Sequence, residues 1–384
     1  MKIYLVGGAI RNELLQIPVK ERDYLVIGST IKEMIDAGYR LVGDHFPVFL
    51  HPETQEEYAL ARTERKSGQG YKGFRVFSDP NITVEEDLKR RDLTINAIAQ
   101  DQETGELIDP FGGKEDIRNR ILRHISPAFR EDPLRLLRIA RFASTLPDFT
   151  IARKTITLLI QMSRSGELTL IAIERIRSEL ERSLMGIEPE RFFLVLNRVG
   201  ALEILFPEFL NYFPKELSKR GEWMIRLLKE TVKRSSSLEI RIIALLFPVN
   251  CVDPKAVKNF LKRFLFKKEL SDLLHLSKKP LQSFLNLDSS NPELILNLLE
   301  KLDSFRRPKR FNLLLSFWNL VLDVARPISS SQSKKIALLT NINKRLLNTK
   351  INRPQGHSGP EIKLHIRKER LSQISRMITD SDRI

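Results

Sequence analysis

The apolar periodicity of this 384-residue chain changes once, near residue 115, and that change narrows the folds open to it. Before it, short apolar runs close on turn residues. "KIYLVGG" reads as a strand ending in a glycine turn, and "AIRNELLQI" as a short helix. "DYLVIGS" reads as a strand, "TIKEMIDAG" as a helix and "EYALARTE" as another strand. "TVEEDLKRRDLTINAIAQ" reads as a helix opened by Thr83, with Glu86 completing a capping box. Beyond residue 115 the period is helical. "EDPLRLLRIARFAS" sets Leu134, Leu137, Ile139 and Phe142 at helical spacings, and "ERFFLVLNRVGALEILF" and "PELILNLLEKL" follow suit. No fixed-period repeat is visible. The expectation is an α+β fold, a mixed-sheet head followed by helices to the end. We place the head at 1–116, a neck at 117–192, a body at 193–300 and a tail at 301–384.

Charge follows the same division. Residues 1–100 carry 14 basic and 15 acidic side chains, a net of −1; residues 301–384 carry 18 and 6, a net of +12. The whole chain is +16, so about +5 falls between them. A near-neutral head on a basic body suits chemistry in one part and a bound polyanion, nucleic acid, in the other. A lysine-rich solvated surface is the alternative. Cys251 is the sole cysteine, which rules out an internal disulfide framework and suits a reducing cytoplasm. The longest apolar stretch, "IIALLFPV" at 242–249, falls far short of the roughly 20 residues of a membrane span. We expect a cytoplasmic protein without a membrane anchor.

The chemistry-bearing residues begin in "VKERDYLVIGST". On a strand Glu21 and Asp23 share a face, with Arg22 on the other. Two carboxylates that close repel unless a positive charge sits between them. Mg²⁺ supplies one, since it takes one or two carboxylates and completes its shell with substrate phosphates. An exposed strand start with unrelated charges is the alternative. Gly7-Gly8 lie between a strand and a helix bearing Arg11, where backbone N–H groups can approach a phosphate, or merely form a tight turn. Glu57 opens "EYALAR" and can lie beside the acidic strand, with Glu56 facing the other way. Three acids on adjacent strands suit metal-assisted nucleotidyl transfer.

"LVGGAIR", "ERDYLVIGST", "EEYALARTERKSG", "DLKRRDLTINAIAQ" and "EDPLRLLRIARF" occur in that order. Together they resemble the bacterial CCA-adding enzymes, class II tRNA nucleotidyltransferases of the polymerase-beta-like superfamily. The resemblance is dense over residues 1–145 and thins beyond. It implies that Gly8 and Arg11 contact the nucleotide, that Glu21 and Asp23 hold Mg²⁺, and that Arg91 reaches the triphosphate or sugar. It implies that Asp132, Arg135, Arg138 and Arg141 form a nucleotide-selecting stripe, with tRNA, CTP and ATP as substrates. No protein partner is implied, and monomer and homodimer both stay open. Glu21 departs from the usual Asp-x-Asp. Its extra methylene shifts a carboxylate by about 1 Å, a displacement that can cost on the order of 100-fold in rate. Longer relatives carry a His-Asp phosphohydrolase domain; none of the six histidines here (His45, His51, His124, His275, His357, His365) is followed by Asp. No phosphohydrolase activity is expected.

The stripe has a physical reading of its own. Asp132 and Arg135 are three apart, neighbours on a helix. Arginine only donates and an ionised aspartate only accepts. Cytosine and adenine each present an amino donor beside a ring-nitrogen acceptor, which one Asp–Arg pair satisfies. Uracil and guanine present the reverse and leave buried groups unpaired at roughly 1–3 kcal/mol each. The alternative has Asp132 capping the helix and the arginines solvated or on phosphate. Residues 66–74 read as a glycine-rich loop with Lys66 and Lys72, flanked by Arg62 and Arg65, either a lid or a passive turn. "SFRRPKRF" (304–311) and "IKLHIRKERL" (362–371) are basic enough for tRNA phosphate contacts or for solvated surface. Trp223 and Trp318 read as core, and Cys251 as no nucleophile. Two rivals remain: a poly(A)-type polymerase on the same head, and a non-catalytic or partially active RNA-binding relative.

Overall fold

The computed structural model describes residues 1–42, 47–66, 74–213, 219–325, 330–350 and 358–381. The proposed loop with Lys72, as well as His45 and His357, lies outside them, and the side chains of Arg65 and Lys66 are not described. The chain divides into two compact units, Met1–Leu210 and Asn211–Ile384.

The first unit begins with β1 (Lys2–Val6), α1 (Gly8–Leu14), β2 (Asp23–Ile27), α2 (Ile31–Asp36), β3 (Arg40–Leu41), β4 (Val48–Leu50) and β5 (Glu57–Leu60). It continues through β6 (Arg62–Lys66), β7 (Phe74–Ser78), α3 (Val84–Lys89), β8 (Ala99–Asp101) and β9 (Leu107–Ile108). Seven of these strands form one sheet in the order β3-β4-β5-β2-β1-β8-β9. The β2–β5 pair is parallel and its neighbours are antiparallel, so the sheet is mixed. Both faces are covered. Leu25 meets Val84 and Leu88 of α3 on one side; Val26 meets Met34 of α2, Phe49 and Tyr58 on the other. Thr30 and Thr83 each open their helix with a reciprocal capping box, to Glu33 and Glu86.

Two expectations about these elements fail. "EYALARTE" is two strands, not one: after Leu60 the chain leaves the large sheet, and β6 pairs with β7 alone. The helix opened by Thr83 stops at Lys89. Ile95, Ala97, Ile98 and Ala99 are fully buried. A segment apolar on every side gains more by docking on β1, as β8 does, than by extending a one-sided surface helix.

The helices that follow in this unit are α4 (Gly113–Arg118), α5 (Leu134–Thr145), α6 (Arg153–Arg164), α7 (Ile173–Leu184), α8 (Glu190–Arg198) and α9 (Leu202–Leu205). They are interrupted only by a two-stranded pairing of Ile121–Leu122 with Thr150–Ile151. Leu134, Leu137, Ile139 and Phe142 are all buried, as their spacing requires. "ERFFLVLNRVGALEILF" breaks into α8 and α9 at Gly200, whose φ of +77° suits glycine.

The described elements of the second unit are helical, from Lys219–Arg234 to Gly359–Ser381. Trp318 is fully buried and its indole N–H donates to the Ser277 carbonyl at 2.7 Å. Trp223 is only half-buried, edge-on to Phe247. Among the described residues no helix is long and apolar enough to cross a membrane.

Candidate active site

A cavity of about 1050 Å³ opens in the first unit, between the ends of β1, β2 and β5 and the helices α5 and α7. Of the residues singled out in the sequence, Gly8, Arg11, Asp23, Glu57, Arg91, Asp132, Arg135, Arg138 and Arg141 all line it, with Arg62. Glu21 does not. The strand begins at Asp23, so Glu21 precedes it as exposed chain and does not share a pleated face with Asp23. Their charges still interact: burial raises the Asp23 carboxyl above its ordinary range, nearby Arg91 opposes that, and Glu21 adds to it.

Parallel pairing puts Asp23 directly opposite Glu57. Adjacent strands in register present such a pair on one face. Neither carboxylate has a hydrogen bond or ion pair among the described residues. Nor does any group of three or more His, Cys, Asp or Glu there converge on a metal-binding point. This donor set, two carboxylates on adjacent strands with no cationic side chain bound to them among the described residues, fits a hard divalent cation whose shell is completed by water and phosphate oxygens.

The arginines are held by a second layer of acids. Asp87, fully buried in α3, accepts from Arg90 at 2.7 Å and from Arg91 at 3.2 Å. The Arg91 Nε is buried without a hydrogen-bond partner. Gly7 makes room for this side chain: its φ is +74°, and a Cβ there would lie 2.9 Å from Arg91 Nη1. At Gly8 a Cβ would meet only ordinary contacts, so the steric demand for glycine falls one residue earlier than the site residue named from the motif.

A chain of hydrogen bonds then runs across the cavity wall. Arg11 Nη1 donates to Asn96 Oδ1 at 2.5 Å, Asn96 Nδ2 to Asp92 Oδ1 at 2.9 Å, and Arg138 Nε to Asp92 Oδ2 at 2.7 Å. Burial alone would raise the Asp92 carboxyl, but Arg138, the Asn96 amide and the Leu93 N–H outweigh it and hold it far below the usual range. Arg11 shows the converse. Burial first and neighbouring Arg141 second lower it to about 10, so an arriving anion relieves an energetic cost.

Asp132 and Arg135 flank the same cavity; the Arg135 N–H donates to the Asp132 carbonyl at 3.1 Å, but their side chains do not pair. Helix α5 starts at Leu134, so Asp132 lies before it in extended conformation and accepts the Leu134 N–H at 3.1 Å. Its other oxygen accepts from Arg175 of α7 at 3.1 Å. Arg135 donates to the Arg90 carbonyl at 2.5 Å and rests over the Phe129 ring. Arg141 pairs with Glu179 of α7 at 2.6 Å and lies over Phe142. Sequence reading missed Asp87, Asp92, Asn96, Arg175 and Glu179. Their signal was there in part: Asp87/Arg91, Asp92/Asn96 and Arg175/Glu179 are all four apart.

Residues 3–123 match the family described as the poly A polymerase head domain, and residues 148–213 that described as a probable RNA- and SrmB-binding site of polymerase A. Fold and site together define a nucleotidyltransferase of the polymerase type. The CCA-adding enzymes of two Coxiella burnetii strains, RSA 331 / Henzerling II and RSA 493 / Nine Mile phase I, are each 46% identical over 336 residues, 88% of this chain and 85% of theirs. The chain belongs to the CCA-adding enzymes. Among solved structures, an apo CCA-adding enzyme superposes with a TM-score of 0.70 at 23% identity, over 97% of this chain and 88% of that one. The Thermotoga maritima CCA-adding enzyme complexed with tRNA gives 0.65 at 22%, over 99% and 91%. Enzymes of this kind use a divalent metal.

Proposed function

We propose that this chain, a tRNA nucleotidyltransferase, builds or repairs the 3′-terminal CCA of tRNA from CTP and ATP in the cytoplasm, with Mg²⁺ as its divalent ion. The observation that carries the reading is one cavity that joins Asp23 opposite Glu57, the half-buried Arg11 and Arg91, and Asp132 with Arg135. Asp23 would hold the ion with Glu21 beside it, and Glu57 would act from the neighbouring strand. The bound ion supplies charge neutralisation for the attacking hydroxyl and the departing pyrophosphate. Arg11 and Arg91 receive the triphosphate: both are half-buried, and in both the loss of water works against the charge. Gly8 lets the backbone approach it. Asp132 and Arg135 select cytosine and adenine by their donor and acceptor pattern, and Arg138 and Arg141 line the same cavity. The tRNA 3′-hydroxyl attacks the α-phosphate, the bond to pyrophosphate breaks, and no nucleic acid template takes part.

The segment division proposed above, with a tail at 301–384 holding tRNA, belongs to the same reading. It is supported by the +12 charge of those residues. The test supplies tRNA trimmed of its terminal CCA, Mg²⁺, and labelled CTP and ATP, and resolves products to single nucleotides. Ordered addition of C, C and A is expected. Runs of A would point to the poly(A)-type activity. Tight tRNA binding without extension would overturn catalysis, and recovery in a Glu21→Asp variant would trace the failure to that carboxylate.

A further inference from the structure

We infer that Arg175 is a positioning residue for base selection: it fixes the carboxylate of Asp132 so that the lone pairs left on it face the incoming base. The inference rests on the proposed role of Asp132 and Arg135 in choosing CTP and ATP. Neither the motifs nor the comparisons assign Arg175 a part in it.

The geometry is specific. Each carboxylate oxygen of Asp132 already has one donor, the Leu134 N–H on Oδ1 and Arg175 Nη2 on Oδ2, both at 3.1 Å. An ionised carboxylate offers about four acceptor positions. Two are thus occupied by groups that fix its rotation, and the rest stay available to an exocyclic amino group. A carboxylate held only by the N–H of a residue two places on still swings about its side-chain bonds. Asp132 precedes α5 and is tied to it through its carbonyl, which accepts the Arg135 N–H, so its side chain is free of the helix's own packing. Arg135 is fixed separately, by the Arg90 carbonyl and the Phe129 ring. Acid and base of the selecting pair therefore both line the cavity without cancelling each other. Arg175 in turn is anchored because α7 is tied to α5 one turn further on by Glu179 and Arg141, both nearly buried. Selection between a base that donates and one that accepts at the same position depends on that acceptor staying where it is.

The test compares CTP with UTP on tRNA lacking CCA, with kcat and KM measured separately. It uses the unmodified chain, Arg175→Gln, Arg175→Lys and a control, Arg177→Gln, whose ion pair with Glu181 lies outside the cavity. Arg175→Gln should lower the CTP-over-UTP ratio of kcat/KM by about 10- to 100-fold, the loss of one or two well-made polar contacts. The loss should fall mainly on the KM for CTP. Arg175→Lys should recover part of it, and Arg177→Gln should keep the ratio. Equal losses for CTP and UTP, with the ratio intact, would make Arg175 merely structural and overturn the inference. If Arg175→Gln does not fold, the lysine variant decides by the same ratio. If the unmodified chain adds no nucleotide, the functional reading has failed independently. Equilibrium binding of CTP against UTP by the same variants then tests Arg175 without turnover.

Discussion

The two ends of the cavity treat charge in opposite ways. At the strand end, Asp23 and Glu57 stand side by side with no ion pair among the described residues. At the neck end three of the four charges of the stripe are matched by an opposite charge, Asp132 by Arg175, Arg138 by Asp92 and Arg141 by Glu179, while Arg135 donates to the Arg90 carbonyl. A folding chain gains stability from the second arrangement and loses it from the first. The unpaired acids are exposed and left open to a cation that the chain binds, whereas the paired stripe is already organised for binding. One end is left open and the other is preorganised.

The sharpest way to break that contrast is Asp23→Asn. Activity should fall by at least about 100-fold, as for a displaced catalytic group. Stability should not fall with it. A carboxyl whose folded value is raised binds its proton more tightly when folded, so its contribution declines as pH rises from the ordinary carboxylate range through the raised value. The asparagine removes that decline, and the melting temperature at neutral pH should hold or rise. Melting curves between pH 4 and 8 beside CTP incorporation would show it; parallel losses of both would mean that Asp23 is paired after all. Gly7→Ala should come next. A left-handed φ costs a non-glycine residue about 1–3 kcal/mol, and the added methyl pushes on Arg91. The expected result is a lower melting temperature together with a higher KM for CTP.

Asp92→Asn probes the paired end. Arg138 keeps a third of its side chain in water and can re-solvate, so the full cost of breaking a buried pair does not apply. The expected loss is roughly 1–3 kcal/mol, from polar contacts to Asn96, Leu93 and Arg138 left poorly matched. Its sign with pH is opposite to that of Asp23. The folded value is depressed, so the stabilisation is complete above the ordinary carboxylate range and disappears as pH falls toward the depressed value. The unmodified chain should therefore lose stability on acidification in a range where the asparagine variant is flat. Equal slopes would remove Asp92 from the account.

What was legible in the sequence follows the same line. The acids, the glycine turn and the stripe were visible because each lies in a short contiguous pattern, and the helical core spacing from Leu134 to Phe142 was visible for the same reason. Asp132 was misplaced by two residues, because Pro133 delays the start of α5 and the three-residue spacing to Arg135 does not make an ion pair. Glu21 was placed on the strand when the strand starts later. The partners of the stripe were out of reach. Arg175 and Glu179 sit some 40 residues away on another helix, and nothing in the local pattern of "IERIRSELER" says which neighbour it faces. The stop of α3 was hidden because an apolar run of that length fits a buried helix as well as a strand.

The smallest effects belong to the basic stretches of the second unit, and they extend the contrast between paired and unpaired charge to RNA binding. Arg367, within "IKLHIRKERL", is engaged by Glu293, Glu300 and Asn297, and Arg310, within "SFRRPKRF", by Asp303. Arginines spent on intramolecular partners have less to give a phosphate. Lys363 and Lys368 on the same helix are exposed and have no partner among the described residues. Arg367→Gln should therefore lower stability slightly, by about 0–1 kcal/mol per exposed pair, and leave tRNA affinity nearly unchanged. Lys363→Gln with Lys368→Gln should do the reverse: unchanged melting, weaker tRNA binding at low salt, and a salt dependence shallower by about one to two units of log–log slope. Binding titrations at two or more salt concentrations separate the two results. A larger loss of affinity from Arg367→Gln than from the lysine pair would show that the intramolecular ion pairs open when tRNA binds, and the rule that paired charge is structural would then stop at the first unit.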